Sequence, residues 1–276
     1  MTRTDPYDSR GGKTLYMVTT FAPVNCGSIP PTSYIPNATA RYEDDSFSGY
    51  FQERFESLRI QARRQQPPPF SLYGDYPVVL FSPALGTSRL MYTLLLQDIA
   101  SNGFFVVSVD HPYDANIVEY PDGCMILGIL GNISTEADFV SAMNVRVKDM
   151  LFLLDQMHNN KVIRDIFPLS QGNSRLLSLD RVTIFGHSLG GATAAQTILV
   201  DNRFVGGINL DGALWGLSWT KGCQVHSCYS VTQTTHRQQS PAGQNFGHIY
   251  EDGNLSYNSH SLYTILFLTF QCLSML

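Results

Sequence analysis

The sequence predicts an α/β protein, a mostly parallel, doubly wound sheet with helices on both faces. Four short apolar runs carry that prediction: residues 77–82 (PVVLFS), 104–110 (FFVVSVD), 181–185 (RVTIF) and 205–210 (VGGINL). Each is bounded by turn formers and reads as a strand covered on both faces, as in a parallel sheet. Between the runs lie segments whose apolar residues recur at helical spacing. The alternation extends over roughly 140 residues, and each strand–helix–strand step implies a right-handed crossover.

Residues 1–12 are polar and rich in turn formers, which predicts a frayed start. Residues 13–21 (KTLYMVTTF) read as one strand, and 22–36, with four prolines, as an irregular loop. The charged stretch around 53–66 reads as a helix ended by Pro67-Pro68-Pro69. After the strand at 77–82, the loop from Pro83 to Ser88 leads into a helix over 90–101. Asn102-Gly103 stops that helix, because a residue at its end must turn left-handed. Residues 113–131 form a longer connection, 136–158 an amphipathic helix and 191–200 an Ala-rich helix.

With 276 residues, 43% of them hydrophobic and 15% charged, the chain predicts a single domain over 1–276, its core in 13–217. Eighteen Lys and Arg against 23 Asp and Glu, with no basic cluster, leave no electrostatic footprint for nucleic acid. No apolar run is long enough for a membrane-spanning helix. The opening Met-Thr-Arg-Thr-Asp-Pro lacks the apolar stretch of a secretory signal. Asn37, Asn132 and Asn254 head glycosylation sequons, which matter only in a secreted protein, so both compartments are compatible. Cys26, Cys124, Cys223, Cys228 and Cys272 read as free thiols or one optional bridge, and no Cys and His spacing makes a metal site.

Residues 218–276 differ from the rest: four charged residues in 59, four of the seven histidines, three of the five cysteines, and no clear strand until Ser261. That composition fits either an unusual final subdomain or a changed reading frame or splice in the source sequence.

The chemistry concentrates at Gly186-His187-Ser188-Leu189-Gly190, a G-x-S-x-G nucleophile elbow between the strand at 181–185 and the Ala-rich helix. The glycines let a sharp turn clear the sheet and the following helix. Ser188 is thereby placed at the carboxyl end of the sheet, over a helix N-terminus that favours developing negative charge. A serine needs a base, and the base an orienting carboxylate, in the chain order Ser, acid, His. Asp211 closes the next strand, 23 residues on, and would emerge one strand over at the same edge; the competing reading is an ordinary Asp-Gly turn. The oxyanion hole calls for the backbone N–H of Leu189 and one from the loop after 77–82, for which Leu85 is the choice, Pro83 having no N–H. Leu214, Trp215 and Leu217 could line an apolar acyl surface or be ordinary core.

The stretch VVLFSPALGTSRLMYTLLLQDIASNGFFVVSVDHPYDA, with RVTIFGHSLGGATAAQ and GGINLDGALWG, resembles the platelet-activating factor acetylhydrolase family, its fungal members in particular. The resemblance covers about 13–217 and is specific at Leu85, at Ser188 and at Asp211, the acid on the strand directly after the nucleophile. It implies an α/β-hydrolase fold with an atypical C-terminal segment. It also implies a calcium-independent, phospholipase A2-type serine esterase with a Ser-His-Asp triad, needing no metal or organic cofactor. Short or oxidised sn-2 acyl esters of phospholipids would be the substrates, with transient contact to a lipid surface. A general carboxylesterase or polyester hydrolase, or an inactive homologue, are the alternatives. Members commonly have His-Gly where this chain has Pro83-Ala84, a change a backbone donor tolerates.

Similarity fades after about Leu217, before the family's histidine. Of the histidines following Asp211, His226 comes too soon for another strand and its return, and His236 sits in a polar stretch. His260, followed by Ser261-Leu262-Tyr263-Thr264 and an apolar run, is the first choice and His248 the second; the third reading is that none is catalytic. His111, His158 and His187 precede Asp211 and fail the order.

Overall fold

A computed structural model describes residues 2–8, 13–22, 30–47, 54–61, 76–130, 133–159, 161–162, 177–216, 228–232 and 247–250. Its centre is a seven-stranded sheet made of β3 (Val18–Phe21), β6 (Tyr76–Ser82), β7 (Phe105–Val109), β10 (Leu177–His187), β11 (Phe204–Leu210), β12 (Cys228–Thr232) and β13 (Gly247–Tyr250). The spatial order is β13-β12-β11-β10-β6-β7-β3, parallel throughout except for the antiparallel edge strand β3. The helices are α1 (Asn37–Ser46), α2 (Thr93–Ser101), α3 (Glu136–Met157) and α4 (Leu189–Val200).

Strand periodicity divides the core. Val78, Leu80, Val182 and Ile184 point to one face, where they pack with Met150 and Leu153 of α3 and Ala194 and Ile198 of α4. Val79, Phe81 and Phe185 point to the other, against Leu96 and Ile99 of α2. Both faces of the central strands are therefore covered, which is why their sequences are continuously apolar. Helix α3 starts at a capping box: Asp138 N–H donates to Thr135 Oγ1 (3.2 Å), and Thr135 N–H to the Asp138 carboxylate (3.1 Å). Gly103, just past α2, has φ +97°, the left-handed stop expected there.

Several expectations are corrected. The start is not frayed over 2–8: β1 (Thr2–Thr4) pairs with β2 (Lys13–Leu15). Arg3 reaches buried Asp149 (2.6 Å), and Tyr16 Oη lies within hydrogen-bond distance of both Asp5 (2.9 Å) and Asp149 (3.0 Å). That buried polar network outweighs local composition. It also splits the expected strand at 13–21, whose second half, β3, joins a different sheet from the first. The charged stretch near 53–66 is no helix where it is described. Phe55–Ser57 is a single 3-10 turn held by Asp44, whose carboxylate accepts Phe55 N–H (2.6 Å), and β5 (Arg59–Ile60) pairs with β4 (Thr32–Ser33). The helix of this region is α1, entered after Pro36. The connection at 113–131 contains a hairpin, β8 (Ile117–Glu119) with β9 (Met125–Leu127). Beyond residue 217, β12 and β13 extend the sheet well before Ser261; short Tyr, Val and Ile runs there were hidden by the polar composition around them.

Candidate active site

Three parallel strands end side by side, with Ser82 of β6 opposite Gly186 of β10, which lies opposite Asn209 of β11; His187 lies opposite Leu210. The residues that follow those ends are the loop holding Leu85, the elbow residue Ser188, and Asp211. The sheet thus brings Leu85, Ser188, Leu189 and Asp211 to one edge.

Ser188 has φ 53° and ψ −122°, a conformation an L-residue rarely adopts. Its N–H donates to Leu210 O (2.8 Å) and its carbonyl accepts from Ala192 N–H (3.1 Å), so strand β11 and helix α4 hold the strained turn from two sides. Gly190 is required by close approach: a Cβ there would overlap the carbonyl oxygens of Ser82 and Pro83. The first turn of α4 therefore lies directly on the loop after β6. Ser188 is half-buried, and its hydroxyl bonds to no group among the described residues.

Asp211 is exposed and also has positive φ, 54°. The turn that carries it is wrapped by Asn209, buried at the end of β11, which accepts Gly212 N–H (2.9 Å) and donates to Gly212 O (2.7 Å). Asn209 was missed in the sequence; an Asn two residues before Asp-Gly is the signal that could have found it.

Leu189 is the first residue of α4, where an N–H has no helical acceptor. Among the described residues neither Leu189 N–H nor Leu85 N–H has an acceptor, whereas Ala84 N–H is taken by Tyr92 Oη (3.2 Å). The Leu85 side chain packs with Leu189, Ala192 and Met143, beside Phe139 and Trp215, whose rings stack at 5.2 Å. Trp215 thus belongs to an apolar cluster beside the elbow, while Leu217 lies outside the described residues.

His187 bonds through Nδ1 to Tyr92 Oη (2.8 Å), and burial lowers its pKa against the opposing pull of Asp211. His226, His236 and His260 lie outside the described residues; His248 falls on β13, opposite Ser230, with no side chain described. A different histidine, His111, sits in a fully buried chain: its Nε2 meets Ser82 Oγ at 2.9 Å and its Nδ1 meets Asp149 Oδ2 at 2.8 Å. Among the described residues no group of three or more His, Cys, Asp or Glu could hold a metal ion, and no helix is long and apolar enough to cross a membrane.

The profile of the family described as platelet-activating factor acetylhydrolase, isoform II, matches residues 37–121 and 134–232, a span that includes Leu85, Ser188, Leu189 and Asp211 and ends before His248 and His260. The chain belongs to that family. A probable 1-alkyl-2-acetylglycerophosphocholine esterase from Arthroderma benhamiae is 30% identical over 213 residues, 72% of this chain and 51% of that protein. A platelet-activating factor acetylhydrolase from Cavia porcellus is 30% identical over 215 residues, 72% of this chain and 48% of that one. The chain spans about half the length of these acetylhydrolase relatives. Among solved structures, a ferulic acid esterase from Streptomyces cinnamoneus superposes with a TM-score of 0.64 at 27% identity, over 83% of this chain and 61% of that one. The parallel sheet, the elbow and these matches make the fold that of the α/β-hydrolases.

Proposed function

We propose that this acetylhydrolase-family chain is a serine esterase that removes short or oxidised sn-2 acyl groups from phospholipids. The observation that carries the reading is the strained Ser188 turn, set beside the Asp211 strand end and two uncommitted backbone N–H groups. Ser188 Oγ attacks the ester carbonyl carbon while the base takes its proton; His260 is the assigned base, His248 the second choice, and Asp211 orients the imidazole. Leu85 and Leu189 N–H bind the oxyanion. The bond to the lysophospholipid oxygen then breaks and the imidazolium returns the proton to it. Water, activated by the same base, hydrolyses the acyl-serine. The names of the two relatives support a phospholipid substrate, and the chemistry calls for no metal or cofactor.

The test is hydrolysis of 1-alkyl-2-acetylglycerophosphocholine by the chain and by its Ser188→Ala variant, beside a long-chain sn-2 phospholipid and a feruloyl ester. Release of acetate that depends on Ser188 is the expected result. Preference for the feruloyl ester would move the reading to a general carboxylesterase. A chain that neither hydrolyses any of the three nor reacts with a fluorophosphonate would overturn it in favour of an inactive homologue.

A further inference from the structure

Arg146 stands in the middle of α3, 1% exposed, and the triad chemistry does not use it. Its guanidinium donates from Nε to Asp114 Oδ2 (2.7 Å) and from Nη2 to Asp114 Oδ1. The remaining donors go to the loop after β6: Nη1 to Pro83 O (2.6 Å) and Nη2 to Ala84 O (3.2 Å). A buried arginine ordinarily serves its carboxylate; here one fork is given to two successive backbone carbonyls.

Those carbonyls belong to the two peptide planes that matter. The Pro83 carbonyl shares its plane with Ala84 N–H, which is tied to Tyr92 Oη. The Ala84 carbonyl shares its plane with Leu85 N–H, the group assigned to the oxyanion. A trans peptide is rigid, and no cis bond occurs among the described residues, so fixing Ala84 O on Arg146 fixes the opposite direction of Leu85 N–H. The loop is held on every other side: Thr87 N–H and Oγ1 also donate to Ala84 O (3.2 and 2.9 Å), and Gly86 O accepts Asn116 N–H (3.2 Å). Asp114, 4% exposed, orients the guanidinium from the segment after β7. A cation on the carbonyl also polarises the same amide toward stronger donation from its N–H.

We propose that Arg146, oriented by Asp114, is a positioning residue for the oxyanion loop, holding the Ala84–Leu85 peptide so that Leu85 N–H meets the charge developing in the transition state. This inference rests on the esterase reading above. The test compares wild type with Arg146→Lys, which keeps the charge but cannot span both carbonyls and the carboxylate, and with the double variant Arg146→Met and Asp114→Asn, which leaves no unpaired buried charge. Hydrolysis of a short-chain p-nitrophenyl ester is normalised to the fraction labelled at saturation by a fluorophosphonate. Inhibition by a trifluoromethyl ketone, whose adduct carries an oxyanion, is compared with inhibition by the matching methyl ketone.

A role in aiming the donor lowers kcat per labelled site by about 10- to 100-fold with KM within about threefold, because a whole donor is worth about 10²–10³. It also weakens the trifluoromethyl ketone in parallel while sparing the methyl ketone. Unchanged kcat per labelled site, or equal weakening of both ketones, overturns the inference. Should neither Arg146 variant fold, Asp114→Asn alone decides on the same criteria. A wild-type chain that neither hydrolyses nor labels overturns the esterase reading itself, and this inference with it; an active wild type with indifferent variants overturns the inference only.

Discussion

Two serines end neighbouring strands of the same sheet, and their surroundings are opposite. Ser82, at the end of β6, is completely buried and bonded to His111, which is bonded to Asp149; the three are 0%, 3% and 1% exposed. Ser188, after β10, is half-buried, sits on strained backbone, and finds no partner for its hydroxyl among the described residues. Judged by hydrogen-bond lengths alone, the first set is the better triad. It has no room for a substrate and no uncommitted donor for an oxyanion, since every polar group in it is satisfied by another. The second has what the first lacks: access, two idle N–H groups and a helix N-terminus. Satisfied polar groups make a strut, here joining β6, the end of β7 and α3, whereas unspent hydrogen-bonding capacity held by strain makes a candidate reaction site.

The comparison breaks most directly at the two hydroxyls. Ser188→Ala is expected to lower kcat/KM on a short-chain ester by at least about 10⁴-fold, with an unchanged circular dichroism spectrum. Ser82→Ala should leave kcat/KM within about twofold and cost about 1–3 kcal/mol of stability in urea, by stranding a buried imidazole nitrogen. Fluorophosphonate labelling followed by peptide mass spectrometry should find Ser188 and never Ser82. Label on Ser82 would invert the assignment of the two sets. Asp211→Asn is the next largest effect, about 10³-fold or more in kcat, since the amide cannot hold the imidazolium. A variant with nearly full activity would return Asp211 to the plain Asp-Gly turn.

The candidate site was legible where chemistry demands a local pattern. G-x-S-x-G between a buried strand and an Ala-rich helix announces Ser188, and chain order picks out Asp211; both stand at the edge where the sheet topology puts them. Leu85, the proposed loop donor, was chosen because its loop follows the strand at 77–82, and the structure sets that strand beside β10. What escaped was non-local. Arg3, Asp5, Tyr16 and Asp149 turn a polar start into a paired strand, and no window of sequence shows that these residues meet. Asp44 capping Phe55 across a connection likewise overrides the helical look of 53–66. Arg146 reads as one more charge on an amphipathic helix until the fold places it under Pro83 and Ala84. His260 was chosen from chain order and the apolar run after it, and its placement lies outside the described residues.

A glycine pair sharpens the same contrast between strained and relaxed backbone. Gly190→Ala would drive a methyl into the carbonyls of Ser82 and Pro83, rigid backbone on both sides, so α4 or the loop must move. The expected cost is about 3 kcal/mol or more in urea denaturation, with kcat falling alongside as Leu85 is displaced. Gly103→Ala meets nothing within 4 Å and carries only the penalty of φ +97°, about 1–2 kcal/mol, with kcat unaltered. Equal losses of activity in the two variants would show that the contact of α4 with the loop has no special bearing on turnover.

The buried set makes the smallest and most specific prediction, through its protons. Burial, with Arg146 adding to it, pushes His111 down to about 3, while burial raises Asp149 to about 7 against the pull of Arg3. At pH 5 the unfolded chain holds one proton on the pair, on the imidazole; the folded chain also holds one, on the carboxyl. The proton count is equal, so the pair contributes no slope to stability between about pH 4 and 6.5. Asp149→Asn removes one side of that balance. His111 is then neutral in the fold and protonated in the unfolded chain, so its contribution is full above 6.5 and lost as pH falls toward 3. Relative to wild type, the variant's unfolding free energy should drop by about 1 kcal/mol per pH unit between about 6 and 4. His111→Asn should show the reverse sign, since a carboxyl raised by burial contributes below its ordinary value and loses that as pH rises through about 7. Urea titrations at several pH values separate these outcomes; parallel profiles for all three proteins would mean that the pair keeps its ordinary titration in the fold, and that the strut is held by a charged imidazolium and carboxylate instead of a neutral, proton-balanced pair.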